Sequence, residues 1–191
     1  TLREDEIITA EALAAVGKDR GIIRSLHRLR GDWRRDQFEW ALAAESYQEA
    51  VRLARERSLI DAEAETSLAL AKFHLGQLPN PVDEAERLAN LRNPGHRTIA
   101  QLWFAIGDRE QAKHQALAAY RWAWADGEPY VNRYELTKAT ELLEGMNVPA
   151  PVLQPYDPAK EKTFPWEAEV RAAIEKLGAK KEAERKKANE T

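Results

Sequence analysis

Histidine, serine and carboxylate side chains are the residues of this chain that would carry out catalysis or hold a metal. The four histidines are His27, His74, His96 and His114. None of them belongs to an HExxH pattern or to another close spacing of metal ligands. No serine lies in a GxSxG turn or beside a histidine that would activate it. The sequence therefore predicts no catalytic residue, no metal and no cofactor.

The acidic residues are spaced to pair with basic residues on the same helix. Glu49 precedes Arg52 by three positions, and Glu182 precedes Lys186 by four. Both spacings bring side chains together on one helical face. We interpret these carboxylates as members of surface ion pairs, so we expect no enzymatic activity.

The helices that would position such residues are best defined between residues 97 and 127. Apolar residues recur there at spacings of three and four, as on one helical face: Ile99, Leu102, Trp103 and Ile106. Gly107 favours a helix C-terminus and Asp108 can cap the next helix. A stripe of mostly small residues follows: Ala112, Ala116, Ala119, Tyr120 and Ala123. The pattern predicts a helical hairpin.

Length and composition fit a helical protein with one core or a short repeat array in its 191 residues. A net charge of −3 gives no reason to expect nucleic acid or an anionic membrane as partner. The absence of cysteine excludes disulfides. No apolar run approaches the roughly 20 residues that span a bilayer. We expect a cytoplasmic protein, with further domains N-terminal to Thr1 because the chain begins without Met.

Helical periodicity extends to the rest of the chain. Further helices are predicted at residues 6–16, 19–30, 33–57, 61–75, 82–91 and 129–146. Gly31 and Asp32 should end one helix and cap the next, as Gly107 and Asp108 do. We favour a single long helix over 33–57 because that stretch contains neither Gly nor Pro. A hairpin with its break near Glu45 and Ser46 is the alternative.

The character of the sequence changes at residue 148. Residues 148–165 hold five prolines and should form an extended segment that packs on the preceding helices. A last helix should begin at residue 166, with a charged, frayed end that reaches residue 191. We therefore divide the chain into a helical repeat domain (1–147), the proline-rich segment (148–165) and a C-terminal helix (166–191).

Two of the predicted hairpins resemble each other in sequence. Alignment of Gly76 with Gly107 pairs Leu68 with Ile99, Ala69 with Ala100 and Phe73 with Phe104. A large apolar residue, a small one, an aromatic one and a glycine, followed later by an alanine, resemble the tetratricopeptide repeat. The resemblance covers residues 22–146 and implies an all-α fold, a right-handed α-α superhelix of helical hairpins.

The irregular repeat lengths and the sequence after residue 120 resemble the C-terminal repeat region of bacterial STAND (NLR-like) NTPases. No GxxxxGK[ST] pattern is present in this chain. The resemblance implies a noncatalytic sensor or scaffold domain, belonging to a larger signalling protein, that recognises a protein or peptide. A stand-alone adaptor for multiprotein assembly and a helical enzyme or small-ligand domain are the alternatives.

The tetratricopeptide resemblance also implies where a partner would bind, because the first helix of each hairpin lines the concave groove. The outward positions of these helices are Thr66, Leu70, Phe73 and His74 in one repeat and Arg97, Gln101 and Phe104 in the next. The two phenylalanines, with Arg97 and Gln101, would hold an extended or helical peptide. Alternatively, a neighbouring helix or the proline-rich segment covers them.

Two other groups of residues have a structural and a functional interpretation. Trp122 and Trp124 fall on opposite flanks of the alanine stripe, which favours packing against neighbouring helices over a surface for a partner or ligand. The stretch 24–35 is basic, and nucleic acid would bind such a patch. Acidic segments surround it, which favours a solvated helix end.

Overall fold

The structure is a computed structural model, and it describes residues 4–17, 19–125, 127–157, 174 and 176. All regular secondary structure in these residues is helical, which confirms the all-α prediction. The helices in this part of the chain are α1 (Glu4–Gly17), α2 (Arg20–Asp36), α3 (Trp40–Arg55), α4 (Ala62–His74), α5 (Pro81–Ala89), α6 (His96–Ile106), α7 (Arg109–Trp124) and α8 (Arg133–Gly145).

Local end signals explain the boundaries of α4, α6 and α7. Asp61 caps α4 by accepting a hydrogen bond from the backbone N–H of Ala64, at 3.1 Å. Gly107 ends α6 with a φ of 101°, a left-handed conformation that favours glycine. Asp108 then accepts a hydrogen bond from the N–H of Gln111, at 3.0 Å. The predicted break between α6 and α7 is therefore confirmed.

The predicted long helix over residues 33–57 is wrong, and so is the predicted stop at Gly31. Helix α2 continues through Gly31 to Asp36, and α3 begins at Trp40. The turn between them contains no Gly or Pro, and Phe38 adopts a φ of 61° there. Glu45 and Ser46 lie inside α3, so the alternative break is wrong as well.

Gly31 is required by packing between helices. A Cβ atom at this position would lie 2.5 Å from Cε1 of the Tyr47 ring. The missing side chain therefore allows α3 to pack tightly on α2, with the Tyr47 ring fully buried. The same glycine that resembles a helix stop in the sequence is a contact site in the fold.

The last helix of the predicted repeat domain begins later than expected. Helix α8 starts at Arg133, not at Pro129, and Asn132 caps it by accepting from the N–H of Glu135 at 3.3 Å. Pro129 lies in the irregular connection after α7. The capping amide therefore marks the start of α8 better than the proline does.

The helices form two layers. Each helix packs on the next one along the chain, and contacts also join α2 to α4, α4 to α6 and α6 to α8. Among the described residues, α3, α5 and α7 do not contact one another. Helices α2, α4, α6 and α8 therefore form an inner layer, and α3, α5 and α7 lie outside it. The right-handed superhelical twist stays a prediction.

The core lies between these layers. Its largest cluster joins α4, α5, α6 and α7 through Ala69, Leu70, Ala85, Leu88, Ile99, Leu102, Trp103 and Ala112. The alanines of the predicted stripe on α7 are buried, Ala112, Ala116 and Ala123 completely. Small side chains at the contact let the α6 and α7 backbones approach closely, as the pattern predicts.

The chain divides into two compact units, Thr1–Gln154 and Pro155–Thr191. In the first unit, residues 148–154 form neither helix nor strand, and Val148 packs beside Ala100 and Leu143. In the second unit, Ile174 and Lys176 are helical. The other residues of the predicted helix 166–191, and the proline-rich segment after residue 157, lie outside the described residues.

Candidate functional site

The inner layer carries a concave surface made of three neighbouring cavities. The upper cavity, of about 290 Å³, lies at the start of α6 and is lined by Glu63, His96, Arg97, Trp122 and Glu135, among others. The central cavity, of about 500 Å³, includes Arg28, Arg35, Ser67, Arg97 and Thr98. The lower cavity, of about 710 Å³, includes Trp40, Leu70, His74, Arg97, Gln101 and Phe104.

The three cavities are adjacent and share lining residues. Arg97 lines all three, and Arg35, Asp36, Tyr134 and Lys138 line both the central and the lower cavity. Helices α2, α4, α6 and α8 all contribute to the central and lower cavities. We call the three cavities together the inner groove.

Five of the seven predicted site residues line the lower cavity: Leu70, His74, Arg97, Gln101 and Phe104. They come from α4 and α6, the helices that the alignment of the two repeats selected. Phe104 is 42 % exposed, so its ring is accessible at the rim. The fold thus places these residues on one surface, and their role in binding stays a prediction.

The expected outward orientation is wrong for Thr66 and Leu70. Thr66 is fully buried, and its hydroxyl donates a hydrogen bond to the carbonyl oxygen of Ala62 at 2.6 Å. Leu70 is buried in the floor of the lower cavity. Phe73 packs against the core instead of lining the cavity. Helix α4 contacts α2, α3, α5 and α6, so it exposes a narrower face than a two-helix hairpin would.

Aromatic rings from the turn between α2 and α3 complete the lower cavity. The rings of Trp40 and His74 stack with centroids 3.9 Å apart and planes 14° apart. Phe38 approaches Trp40 edge-on at 6.4 Å and is 78 % exposed. Sequence analysis did not select Phe38 or Trp40 because it placed both of them inside one long helix. The positive φ of Phe38, which directs the ring, has no local sequence signal.

His74 is a ring for stacking rather than an oriented base. Partial burial lowers the pKa of His74 below its usual range, so the imidazole is neutral at pH 7. Within the described residues, its ring nitrogens have no hydrogen-bond partner. A general base is normally held by a second group that orients the ring. The lower cavity therefore offers a flat stacking surface.

The groove holds both signs of charge in pairs. Nε of Arg97 donates to Glu135 Oε2 at 3.1 Å, and Lys138 Nζ lies 2.8 Å from Glu141 Oε2. Arg35 lies 3.2 Å from Asp32 and 3.4 Å from Asp36, and Arg28 pairs with Glu63. The four basic residues of the central and lower cavities thus each have an acidic partner. The groove carries no strong excess of either sign.

The side chain of Gln101, which lines the lower cavity, holds a buried oxygen atom without a hydrogen-bond donor among the described residues. Its Oε1 atom is buried and accepts no hydrogen bond within the described part of the chain. A buried acceptor without a donor costs about 1–3 kcal/mol.

Trp122 departs from its predicted packing role. Its side chain is 60 % exposed and lines the upper cavity. The residues beside it in that cavity include Asn93, Pro94 and Gly95, which precede α6. Trp124, on the other flank, is partly buried and its Nε1 donates to the carbonyl oxygen of Gln154 at 3.0 Å. The packing interpretation fits Trp124 alone.

Several arginines of the basic stretch 24–35 form ion pairs, some with other elements and some within α2. Arg24 lies 3.3 Å from Asp61, and Arg34 lies 2.7 Å from Glu39. Arg28 and Arg35 form the pairs described above. Because the carboxylates lie close to these guanidinium groups, the stretch is not the open positive surface that a phosphate backbone would require.

The remaining histidines are dispersed. His96 Nδ1 lies 2.8 Å from Oε1 of Gln115, and His114 is exposed on α7. In the described residues, no three His, Cys, Asp or Glu side chains are grouped so that they could hold a metal ion. The same residues contain no helix with the length and apolar character of a membrane span.

Comparison with protein-family models, curated proteins and solved structures gives no match for this chain. The geometry of the inner groove is therefore the basis for a functional assignment.

Proposed function

We propose that this chain is a noncatalytic recognition domain that binds a protein or peptide in its inner groove. The observation that carries the proposal is the row of three adjacent cavities along α6, with exposed aromatic side chains among their lining residues. Peptide-binding sites gain most of their binding free energy from a few such anchors. Four helices of the inner layer hold the lower cavity in place, so a ligand would meet a preformed surface.

The tetratricopeptide and STAND resemblances support a wider proposal for the parent protein. This domain would be the sensor or scaffold region of a larger bacterial signalling protein in the cytoplasm. Partner binding would bias that protein between an inactive and an assembled state. A stand-alone adaptor would use the same groove without any switch.

The volume of the lower cavity favours binding of a small molecule as a second candidate function. About 710 Å³ lies within the usual range of roughly 300–1,000 Å³ for small-ligand pockets. Its stacked Trp40 and His74 rings would contact a flat ligand. A small molecule of this size would leave the upper cavity, with Trp122, empty.

Peptide selection tests the proposed function. Phage-displayed random nonapeptides would be selected on the immobilised chain, and selected peptides measured by fluorescence anisotropy. We expect binders whose affinity falls at least tenfold in the Phe38→Ala/Phe104→Ala double variant. Leu42→Ala is the control, because Leu42 is 41 % exposed on α3, away from the described cavities. Failure to select any peptide sensitive to the double variant would contradict the proposal.

A further inference from the structure

Helix α6 begins at the upper cavity with unused hydrogen-bond donors. Its first three residues, His96–Thr98, and the preceding Gly95 all line this cavity. Gly95 occupies the N-cap position and has no side chain that could accept a hydrogen bond from the helix. Among the described residues, the backbone N–H groups of Arg97 and Thr98 have no acceptor. The first turn of this 11-residue helix therefore presents two free donors at the positive end of the helix dipole.

The side-chain hydroxyl of Thr98 is a further donor without a partner. Thr98 is only 6 % exposed, and its side chain makes no hydrogen bond within the described part of the chain. Its oxygen atom keeps some accessible surface, in contrast to the enclosed Oε1 atom of Gln101. Thr98 lines the upper and central cavities, so a molecule in the upper cavity can reach the hydroxyl. This buried threonine and the helix N-terminus point to the same ligand chemistry, an acceptor of hydrogen bonds.

Arg97 adds positive charge at this end of α6. Its Nε atom donates to Glu135 Oε2 at 3.1 Å, whereas its two Nη atoms donate to no acceptor in the residues that the structure describes. Two guanidinium nitrogens match the two oxygens of a carboxylate. The acidic residues that line the upper cavity, Glu63 and Glu135, are each paired with an arginine. Their proximity favours a singly charged anion over a doubly charged one such as phosphate.

Trp122 supplies an apolar wall beside these donors. Its side chain is 60 % exposed and lines the same cavity. An aromatic ring or another compact apolar group would pack on the indole face. The cavity volume of about 290 Å³ lies at the lower limit of the usual range of roughly 300–1,000 Å³ for small-ligand pockets. The ligand that fits this cavity is therefore small and has one anionic and one apolar end.

We propose that the upper cavity binds a small monocarboxylate that carries one compact apolar group. The carboxylate accepts hydrogen bonds from the backbone N–H groups of Arg97 and Thr98 and from the Thr98 hydroxyl. The apolar group packs against Trp122. This site goes beyond the proposed function and does not depend on the binding of a peptide.

Phenylacetate, which has one carboxylate and one ring, is the probe for this site. It would be titrated into the full chain and followed by two-dimensional ¹H–¹⁵N NMR. We expect saturable shifts of the backbone amide signals of Arg97 and Thr98. Phenylacetamide has the same shape without the charge, and it should bind at least tenfold more weakly, as should phosphate. Equal affinity for phenylacetamide, or saturation without shifts at Arg97 and Thr98, would overturn the carboxylate site.

The variant Gly95→Asp tests the helix N-terminus by filling the site with a carboxylate of the protein itself. The new side chain would cap α6 as Asp108 caps α7, and its Cβ atom would lie 3.5 Å from Cγ of Glu63, an ordinary contact. We expect phenylacetate to bind at least tenfold more weakly and the melting temperature to rise. Asn80→Asp is the control, because Asn80 is the N-cap residue of α5 and lines none of the described cavities. Unchanged affinity in Gly95→Asp would contradict the proposal.

Two further variants test the side chains. Thr98→Val removes the hydroxyl at nearly constant volume and should weaken phenylacetate binding about tenfold, whereas Thr98→Ser should restore most of the affinity. Trp122→Ala should weaken binding of phenylacetate and leave binding of acetate unchanged. Thr98→Val and Trp122→Ala variants that both bind phenylacetate normally would overturn the site. If phenylacetate binds as expected but no peptide can be selected, the proposed function fails and this site remains.

Discussion

The Gly-Asp pair occurs at positions 31–32 and 107–108, and the two copies have different structural roles. Gly107 ends a helix at positive φ, and among the described residues no atom outside its two chain neighbours lies within 4 Å of where its Cβ would be. Gly31 lies inside a helix, against the ring of Tyr47. Asp108 caps the next helix, whereas Asp32 accepts a hydrogen bond from the Tyr47 hydroxyl at 2.9 Å. The Gly107-Asp108 pair acts on its own backbone, and the Gly31-Asp32 pair acts on a side chain of the neighbouring helix α3.

Of the variants at these two Gly-Asp pairs, Gly31→Ala should cause the largest loss in the free energy of unfolding. The added methyl group overlaps the Tyr47 ring, and overpacking of this kind costs up to about 3 kcal/mol in the free energy of unfolding. Better helix propensity would return about 1 kcal/mol of that. Urea unfolding of the variant measures the loss. The Gly31→Ala/Tyr47→Ala double variant should lose less free energy of unfolding than the two single variants lose together, because the overlap needs both side chains. Losses that add exactly would contradict the contact.

Asp32→Ala should cost about 2 kcal/mol, because the Tyr47 hydroxyl loses its acceptor and buried Arg35 loses a carboxylate. Burial raises the pKa of Tyr47, so its hydroxyl stays a donor at neutral pH. Asp36→Ala is the control, because Asp36 is largely exposed and pairs with the same Arg35 at 3.4 Å. Denaturant unfolding should show a loss below about 1 kcal/mol for the control. If Asp32→Ala and Asp36→Ala lose the same free energy of unfolding, the hydrogen bond from Tyr47 contributes nothing beyond the surface charge.

Gly107→Ala should cost about 1–2 kcal/mol, since an alanine at a φ of 101° is strained. Gly107→Asn should cost less, because asparagine tolerates positive φ. The order should reverse at Gly31, where asparagine is larger than alanine and overlaps Tyr47 more. Thermal unfolding of the Ala and Asn variants at each glycine ranks their stabilities. If Asn is more stable than Ala at both positions, the two glycines do not have different roles.

Asp108→Ala should give the smallest effect, a loss of about 1 kcal/mol from the missing N-cap of α7. Asp108→Asn retains an acceptor and should recover most of the stability. Circular dichroism during thermal unfolding measures both variants. A loss in Asp108→Ala much larger than that in Asp32→Ala would show that local capping, not the contact between α2 and α3, dominates stability.

The helices that were predicted well are those with complete local signals. Asp61, Gly107 and Asp108 act within one turn of their own position, so the sequence alone placed the start of α4, the end of α6 and the start of α7 within one or two residues. The alanine stripe of α7 is equally local, because its period follows from the geometry of a single helix. These features need no knowledge of the neighbouring helices.

Burial of individual side chains was predicted less well because it depends on how many neighbours a helix has. The aligned positions Phe73 and Phe104 illustrate this: one packs into the core, and the other is exposed on the groove rim. Helix α4 has neighbours on more sides than its own hairpin supplies, which buries Thr66 and Leu70. The sequence selected α4 and α6, two of the helices that line the lower cavity, and did not select Phe38, Trp40 or Trp122.

By itself, the sequence determined that the chain is helical, where several helices end and which faces of them are apolar. Tertiary structure decided that Gly31 lies inside a helix, that Trp122 is exposed and that residues of four helices meet around Arg97. Capping and periodicity act over one or two helical turns, so residues close together in the sequence are enough to predict them. Packing joins residues far apart in the chain, and each of those contacts depends on all the helices around it.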